Sequence, residues 1–264
     1  MHDSAATNQD TIYEQRGAVA WLTFNRPQAR NAMTFAMYEE IERVCDVVEA
    51  DPDIRVLVRT GAGDKAFVAG TDISQFQTFT DPQHALDYEA RIDRVISRLE
   101  RVARPTIAAI RGVAVGGGAS IALACDLRVC TPESRFGVPI ARTLGNCLST
   151  SSYARIMDLI GPARTKELIF TAQLVGAQDA RAVGLVNEVV ASEQLEVRVT
   201  ELAEQIAGHA PITLQVTKES VRRVLDERRP ARDEELILRA YMSDDFREGV
   251  RAFLDKRKPV WTGR

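Results

Sequence analysis

Three consecutive glycines, Gly116 to Gly118, join an apolar run to a helix-like pattern of small residues that ends near Asp126. Glycine has no Cβ, so the backbone can turn sharply and a ligand can approach it closely. The first N–H groups of a helix have no partner within the helix, and the helix dipole favours negative charge there. A strand–glycine–helix junction could therefore bind an oxyanion. A tight turn in a crowded core explains the glycines equally well, because a short glycine run is a weak signal.

Alternating strand and helix patterns surround this junction. Hydrophobic periodicity predicts strands at 11–15, 18–24, 55–59, 106–110 and 127–130, and 135–140 is compatible with another. Residues 66–73 are predicted to form a short apolar strand that is broken by Gly70 and leads into a polar segment. An amphipathic helix with Met37, Ile41, Val44 and Val48 on one face ends near residue 51, and a long helix is predicted over 82–102. Helical patterns dominate beyond residue 149, with one strand near 186–190. The strand–strand–helix rhythm suggests a spiral of ββα units, although the sequence periods do not prove it.

Composition excludes several classes of function. The 264 residues are 45% hydrophobic and 27% charged, with a formal net charge of −3, so no global basic field points to nucleic acid or to an anionic membrane. Four cysteines without a Cys-x-x-Cys pair argue against a zinc site or a disulfide scaffold. Neither a targeting signal nor a membrane-spanning run is visible, so we expect a cytoplasmic protein. Residues 1–10 are expected to form a flexible tail.

Five motifs, in this order and at this spacing, resemble the crotonase, or enoyl-CoA hydratase/isomerase, superfamily. They are Asn25-Arg26-Pro27 with Asn31-Ala32-Met33, Ala66–Asp72, Gly112–Asp126, Phe136–Pro139 and Phe253–Pro259. The resemblance implies an α/β fold, the ClpP/crotonase-like spiral of repeated ββα units, over residues 11–195. It also implies a C-terminal helical trimerisation region over 196–264 and assembly as a homotrimer or a dimer of trimers.

The same resemblance implies an acyl-CoA thioester as substrate, with coenzyme A as part of the substrate and no other cofactor or metal. The backbone N–H groups of Thr71 and Gly117 match the pair that polarises the thioester carbonyl. Preorganised amides stabilise the negative charge that develops on that oxygen. Positions matching coenzyme A or substrate contacts are Gln28, Ala29, Arg30, Ala69, Gly70, Asp72, Ile73, Ile140, Arg142, Phe253 and Lys256. Asp72, which follows a glycine, also fits a turn or helix-capping residue, and we do not expect it to be a base.

Two positions depart from the family hydratase, which adds water with a pair of glutamates. Ser120 stands at the first position, three residues after Gly117, and Ile140 stands at the second. Isoleucine cannot transfer a proton, and serine without a base is a poor acid or base at neutral pH. Leu148 replaces the further acid of a dienoyl isomerase variant. Two-glutamate hydration is therefore not expected, and Ser120 is predicted to face the pocket mainly as a satisfied helix-start hydroxyl.

Cys147 is the remaining candidate for covalent chemistry. The run Leu144-Gly145-Asn146-Cys147 resembles a segment of the family's halobenzoyl-CoA dehalogenase, in which a nucleophilic aspartate follows Gly-Asn. Arg142 and a helix start at Ser149 could favour its thiolate. A small buried thiol that packs under the acyl chain is the favoured alternative.

The reaction therefore stays open at this point. One hypothesis is an acyl-CoA enzyme of the lyase or isomerase type, with hydrolase, decarboxylase or carbon–carbon lyase activity as alternatives. A catalytically weak acyl-CoA-binding protein is another. RNA binding through the helix at 81–101 is set aside, because its four arginines face five acidic residues.

Overall fold

The residues that the computed structural model describes, 10–79, 81–227 and 233–264, form ten strands and ten α-helices, and the last four helices follow one another without a strand between them. The strands are β1 (Thr11–Arg16), β2 (Val19–Phe24), β3 (Val56–Gly61), β4 (Ala66–Val68), β5 (Thr106–Ile110), β6 (Val113–Val115), β7 (Leu127–Cys130), β8 (Arg135–Gly137), β9 (Val175–Gly176) and β10 (Glu188–Val189). The helices are α1 (Phe35–Ala50), α2 (Pro82–Arg101), α3 (Gly117–Ala124), α4 (Ile140–Thr143), α5 (Thr150–Thr171), α6 (Ala177–Ala182), α7 (Leu195–Ala207), α8 (Pro211–Asp226), α9 (Glu234–Tyr241) and α10 (Asp244–Leu254). The predicted tail at 1–10 lies outside the described residues, apart from Asp10.

Two sheets form the framework. The larger one has the order β1-β2-β3-β5-β7-β10 and the smaller one β4-β6-β8-β9. Only the β1–β2 hairpin and the β8–β9 pair are antiparallel among these pairings. The successive pairs β3/β4, β5/β6 and β7/β8 each send their first strand to the larger sheet and their second to the smaller. A helix follows each pair, so the predicted spiral of ββα units is confirmed.

Helices pack on the sheets through the faces that their sequence periodicity predicts. In α1, Met37, Ile41, Val44 and Val48 are all fully buried. The apolar side chains of Ile92, Ile96 and Leu99 in α2 pack into the same core. A second apolar cluster packs Leu195 and other residues of α7 against the opposite face of the larger sheet. Burial of such apolar stripes is what holds amphipathic helices in a fold.

The strand that begins at Ala66 ends before Gly70, as predicted, and the strand suggested at 135–140 is shorter than its apolar run. The run at 66–73 ends as a strand at Val68, because Gly70 has a φ of +105° and a 3₁₀ helix begins at Ile73. The run at 135–140 ends as a strand at Gly137, because Pro139 is the N-cap residue of α4. Both chain reversals bring the carboxyl ends of β4 and β8 close to the start of α3, where the glycines lie.

The helix α8 differs from the others in its exposure. Proline at its first turn agrees with the sequence prediction, yet α8 has no buried residue in the single chain. Four of its large apolar side chains are exposed: Ile212, Val216, Val221 and Val224. The predicted trimerisation region remains a prediction. Within the described ranges, none of the helices has the length and apolar character that crossing a bilayer requires.

Candidate active site

A mainly apolar cavity of about 510 Å³ lies beside β6 of the smaller sheet and the start of α3, and residues of α2, α4, α9 and α10 also line it. Many of the residues singled out from the sequence line it together. These are Ala29, Arg30, Ala69, Gly70, Thr71, Asp72, Ile73, Gly117, Ser120, Ile140 and Phe253. Their separation along the chain is large, so the fold itself assembles the site. A cavity of this size with a few converging polar groups is typical of a small-molecule site.

Two backbone N–H groups beside this cavity, those of Thr71 and Gly117, indicate the chemistry that it can support. Gly117 is the first residue of α3, where an N–H has no partner within the helix. Thr71 follows Gly70 and forms an isolated parallel bridge with Met33. Within the described part of the chain, neither N–H donates a hydrogen bond to a backbone or side-chain acceptor. A Cβ built on Gly117 would lie 3.3 Å from Oγ1 of Thr71, so the two positions are neighbours. The pair could therefore hold one oxyanion.

The glycines are required by close packing at this junction. Gly116 has a φ of +55° and a ψ of −122°, a combination that side chains disfavour. A Cβ at Gly118 would overlap the carbonyl oxygen of Val68, and a Cβ at Gly117 would overlap the hydroxyl of Tyr38. The tight turn is therefore present, and it leaves the N–H of Gly117 without a hydrogen-bond partner among the described residues, so the turn does not exclude an oxyanion site.

Asn31 fixes the segment that carries Thr71. Its fully buried amide donates to the carbonyl oxygens of Ala66 at 2.8 Å and Ala62 at 3.0 Å, and its Oδ1 accepts from the backbone of Arg26 at 2.9 Å. Nearby, the N–H of Met33 donates to the carbonyl of Gly70 at 2.8 Å. Buried polar groups that are satisfied in this way give a backbone little freedom. The Asn31-Ala32-Met33 motif therefore helps to position the segment that carries the N–H of Thr71.

Asp72 is a capping residue, as its position after a glycine predicted. Its carboxylate accepts from the backbone N–H of Ser74 at 3.2 Å and forms an ion pair with Arg26 at 3.3 Å. Burial opposes ionisation, but the hydrogen bonds from Ser74 and Arg26 outweigh it, and the pKa of Asp72 is lowered. The carboxylate is therefore held ionised by its partners and is poorly suited to move protons.

The hydroxyl of Thr71 forms hydrogen bonds with two tyrosines that the sequence analysis did not identify. Oγ1 of Thr71 lies 2.9 Å from the hydroxyls of both Tyr38 and Tyr88, and the three side chains are buried. Burial raises the pKa of each phenol above its ordinary value. Both tyrosines are therefore neutral at physiological pH and act as hydrogen-bonding groups.

The positions of the two missing glutamates both face the cavity. Oγ of Ser120 donates to the carbonyl of Gly116 at 3.4 Å, in agreement with a helix-start hydroxyl. Ile140 is the first residue of α4 and packs in an apolar cluster with Val138. Neither position supplies a group that transfers protons at neutral pH.

Glu89 is a cavity residue that the sequence analysis missed. It lies on α2, is only 6% exposed, and accepts a hydrogen bond from the hydroxyl of Tyr241. That hydroxyl in turn accepts from Nδ2 of Asn146 at 3.0 Å. Burial raises the pKa of Glu89 to about 8, although the bond from Tyr241 opposes the rise. Helical spacing in the sequence could have predicted its burial, because Glu89 precedes the buried Ile92 by three residues and therefore lies on the same face of α2.

Four of the predicted residues do not line the cavity: Gln28, Arg142, Cys147 and Lys256. The thiol of Cys147 packs against the main core and lies 3.8 Å from the carbonyl oxygen of Leu236. Burial, with a smaller contribution from Glu89, raises the pKa of this thiol to about 12. This favours packing over the nucleophilic alternative, because a nucleophilic cysteine needs a lowered pKa. Gln28, Arg142 and Lys256 are exposed, and their contacts with coenzyme A stay predictions.

Residues 14–264 match the family model described as enoyl-CoA hydratase/isomerase. The chain is 34% identical over 252 residues to the short-chain-enoyl-CoA hydratase of Clostridium acetobutylicum, covering 94% of this chain and 96% of that protein. It is also 34% identical over 254 residues to the (E)-benzylidenesuccinyl-CoA hydratase of Thauera aromatica, covering 93% and 96%.

Solved structures show the same similarity. An enoyl-CoA hydratase/carnithine racemase from Magnetospirillum magneticum has 32% identity and a TM-score of 0.79, with 97% of this chain and 96% of that chain covered. A methylmalonyl-CoA decarboxylase in complex with 2-nitronate-propionyl-CoA has 28% identity and a TM-score of 0.88, with 97% and 99% covered.

Proposed function

Because this chain belongs to the enoyl-CoA hydratase/isomerase family of enzymes, which act on acyl-CoA thioesters, we propose that it works through an enolate of its acyl-CoA substrate. The observation that carries the proposal is the pair of unpartnered N–H groups, on Thr71 and Gly117, at one cavity. When a proton or a carboxyl group leaves the carbon beside the thioester carbonyl, negative charge develops on the carbonyl oxygen. Two preorganised donors stabilise that charge, and each contributes roughly 3–4 kcal/mol in comparable sites.

Hydration by two glutamates is not part of this proposal. The two positions carry Ser120 and Ile140, and both line the cavity without a carboxylate. The proposed chemistry is a proton transfer at the carbon beside the carbonyl, as in an isomerase. This step needs one group that takes up and returns the proton, whereas hydration needs the pair of glutamates.

Decarboxylation is the second candidate. The structural similarity to a methylmalonyl-CoA decarboxylase, with a TM-score of 0.88, favours it. Loss of carbon dioxide from a substrate produces the same enolate, so the same two N–H groups would serve. Hydrolysis through Cys147 is not favoured, because burial keeps its thiol protonated.

The coenzyme A portion is proposed to enter beside Ala29 and Arg30, which line one part of the cavity, and Phe253, which lines it from α10. Gln28 and the exposed Lys256 are proposed to contact its polar groups, with Lys256 acting in a neighbouring subunit. The exposed apolar side chains of α8 support association with another copy of the chain, because such a face is typically buried against a partner, and the family resemblance makes a trimer the proposed assembly.

The proposal can be tested with a panel of saturated, 2-enoyl, 3-enoyl and dicarboxylic acyl-CoA thioesters, with products identified by mass spectrometry. The informative substitution is Gly117→Pro, since proline is tolerated at the first helical position but has no N–H. Its Cβ would meet the hydroxyl of Tyr38, so the substitution is made in a Tyr38→Phe background. Gly117→Ala in the same background is the matched control, because it adds a Cβ and keeps the N–H.

We expect the proline variant to turn over its substrate about 10²–10³-fold more slowly than the alanine control, with an equal melting temperature. Equal turnover by the two folded variants would contradict an oxyanion role for Gly117. Binding of acyl-CoA without turnover of any member of the panel would instead identify a binding protein and reject the enzymatic proposal.

A further inference from the structure

The cavity offers very few groups that could move a proton. Among the described residues that line it, the carboxylic acids are Asp72 and Glu89. Asp72 is bound to Arg26 and Ser74 and caps a 3₁₀ helix. We propose that Glu89 is the catalytic acid and base of this enzyme, and that it moves a proton to and from the carbon beside the thioester carbonyl. This inference rests on the proposed function, because it supplies the proton transfer that the missing glutamates cannot.

Helix α2 brings Glu89 to the site together with a residue of the oxyanion framework. The adjacent Tyr88 places its hydroxyl 2.9 Å from Oγ1 of Thr71, whose N–H is one of the two proposed donors. Consecutive residues on a helix point about 100° apart, so α2 presents two polar groups to one cavity from different angles. The proton-transfer group and the oxyanion donor are thus connected through the same rigid element.

The carboxyl of Glu89 is held in one orientation. The hydroxyl of Tyr241 donates to its Oε1, and the backbone N–H of Ser149 also forms a hydrogen bond with the carboxylate. Asn146 fixes Tyr241 from the other side at 3.0 Å, while Oδ1 of Asn146 is buried without a hydrogen-bond partner among the described residues. Proton transfer is efficient when neighbouring hydrogen-bonding groups hold the buried acid in a fixed orientation.

The surroundings of Glu89 make both of its protonation states accessible near neutral pH. Its pKa is raised to about 8, mainly by burial and to a smaller extent by the nearby carboxylates of Asp93 and Asp233, while the hydrogen bonds from Tyr241 and Ser149 lower it. Other titratable groups that interact electrostatically with it are Tyr38, Tyr88, Cys147 and Tyr153. A catalytic acid–base group is most effective when its pKa is close to the operating pH.

The proposed step is balanced within the active site. The carboxylate of Glu89 takes a proton from the carbon beside the carbonyl, so a C–H bond breaks and an O–H bond forms. The electron pair moves onto the carbonyl oxygen, where the N–H groups of Thr71 and Gly117 bind it. Return of the proton to the same carbon regenerates the substrate, and return to a carbon farther along an unsaturated chain shifts the double bond. The protonated carboxyl also protonates an enolate that decarboxylation forms.

Deuterium exchange measures this step without knowledge of the natural acyl group. Wild-type protein is incubated in D₂O with 3-butenoyl-, 3-hexenoyl- and phenylacetyl-CoA, whose protons beside the carbonyl are comparatively acidic, and incorporation is read by mass spectrometry. Binding of the same thioesters is measured by calorimetry. The variants are Glu89→Gln, Glu89→Asp and, as a matched control on the exposed face of α2, Asp87→Asn.

We expect wild type and Asp87→Asn to exchange at similar rates, and Glu89→Gln to exchange about 10²–10⁴-fold more slowly while binding within about twofold. Glu89→Asp should retain part of the rate. The wild-type exchange rate should rise with pH and level off above pH 8 as the carboxyl loses its proton, and the residual rate of Glu89→Gln should lack this step.

Each other outcome has a distinct meaning. Wild-type protein that binds the thioesters but exchanges none of them would overturn the role of Glu89 and leave acyl-CoA binding intact. Exchange by folded Glu89→Gln within about threefold of wild type would also overturn it. Wild-type protein that binds none of the thioesters would reject the proposed function itself.

Discussion

Replacing Glu89 by glutamine should remove a pH-dependent penalty on folding. Burial raises the pKa of this carboxyl from 4.5 to about 8 in the folded protein. The folded state therefore holds a proton that the unfolded state releases, and stability falls as the pH rises between the two values. The contribution of Glu89 is most favourable below pH 4.5, and its loss is complete above pH 8.

The size of the effect follows from linkage. Between the two pKa values the slope is about 1.4 kcal/mol per pH unit, which gives about 2–3 kcal/mol between pH 5 and pH 7. Solvent screening does not reduce this figure much, because the side chain is almost fully buried. Acidic groups with lowered pKa values, such as Asp72, titrate below this window. Buried thiols and phenols with raised pKa values titrate above it.

The assay is urea unfolding of wild type and Glu89→Gln at pH 5, 6, 7 and 8. Glu201→Gln, at an exposed position of α7, serves as the matched control and should follow the wild-type curve. We expect the free energy of unfolding of Glu89→Gln to gain about 2–3 kcal/mol on that of wild type from pH 5 to pH 7. A constant difference between the two proteins across this range would refute the raised pKa. A variant that is more stable and yet inactive would show that the carboxyl is retained for chemistry, at the expense of stability.

Two further substitutions test the site geometry. Gly118→Ala should destabilise the protein by about 3 kcal/mol, because the added Cβ would overlap the backbone carbonyl of Val68, and chemical denaturation measures this; an unchanged midpoint would contradict the close approach. Cys147→Ala should keep most of the turnover of wild type, and the Cys147 thiol should react slowly with iodoacetamide at pH 7, where its raised pKa leaves about one thiolate in 10⁵ thiols. Loss of turnover in folded Cys147→Ala, together with rapid alkylation of wild type, would restore the nucleophile hypothesis.

The helices and strands follow from short-range patterns that the sequence carries by itself. The spacing of Met37, Ile41, Val44 and Val48 predicts the buried face of α1, and all four are fully buried. The glycines at 116–118 predict a close approach of backbone at the start of a helix, which the positive φ of Gly116 and the crowding at Gly118 confirm. Such features depend on local geometry, so neighbouring residues are sufficient to predict them.

The family and much of the cavity lining were also predictable from the motifs. Residues such as Ala69, Gly70 and Ile73 stand next to Thr71 in the chain, so a motif that includes Thr71 includes them as well. The absence of carboxylates at Ser120 and Ile140 could be read directly from the sequence. Serine and isoleucine at these positions argue against two-glutamate hydration, but they do not show which other group could transfer the proton.

Only the tertiary structure showed that Glu89 is buried at the cavity and has a raised pKa. In the sequence, Glu89 is one of five acidic residues on a helix that also carries four arginines, and the count of charges over 81–101 does not distinguish it from the others. Its partner Tyr241 is 152 residues away, and α2 meets α9 only when the C-terminal helices fold over the cavity. Likewise, Cys147 could not be judged from its neighbours, because the burial that raises its pKa comes from distant elements. The sequence predicted the helices and strands and the glycine-rich start of α3, because these depend on local geometry. The ionisation of a side chain depends on the solvent and charges around it, so only the assembled protein could decide it.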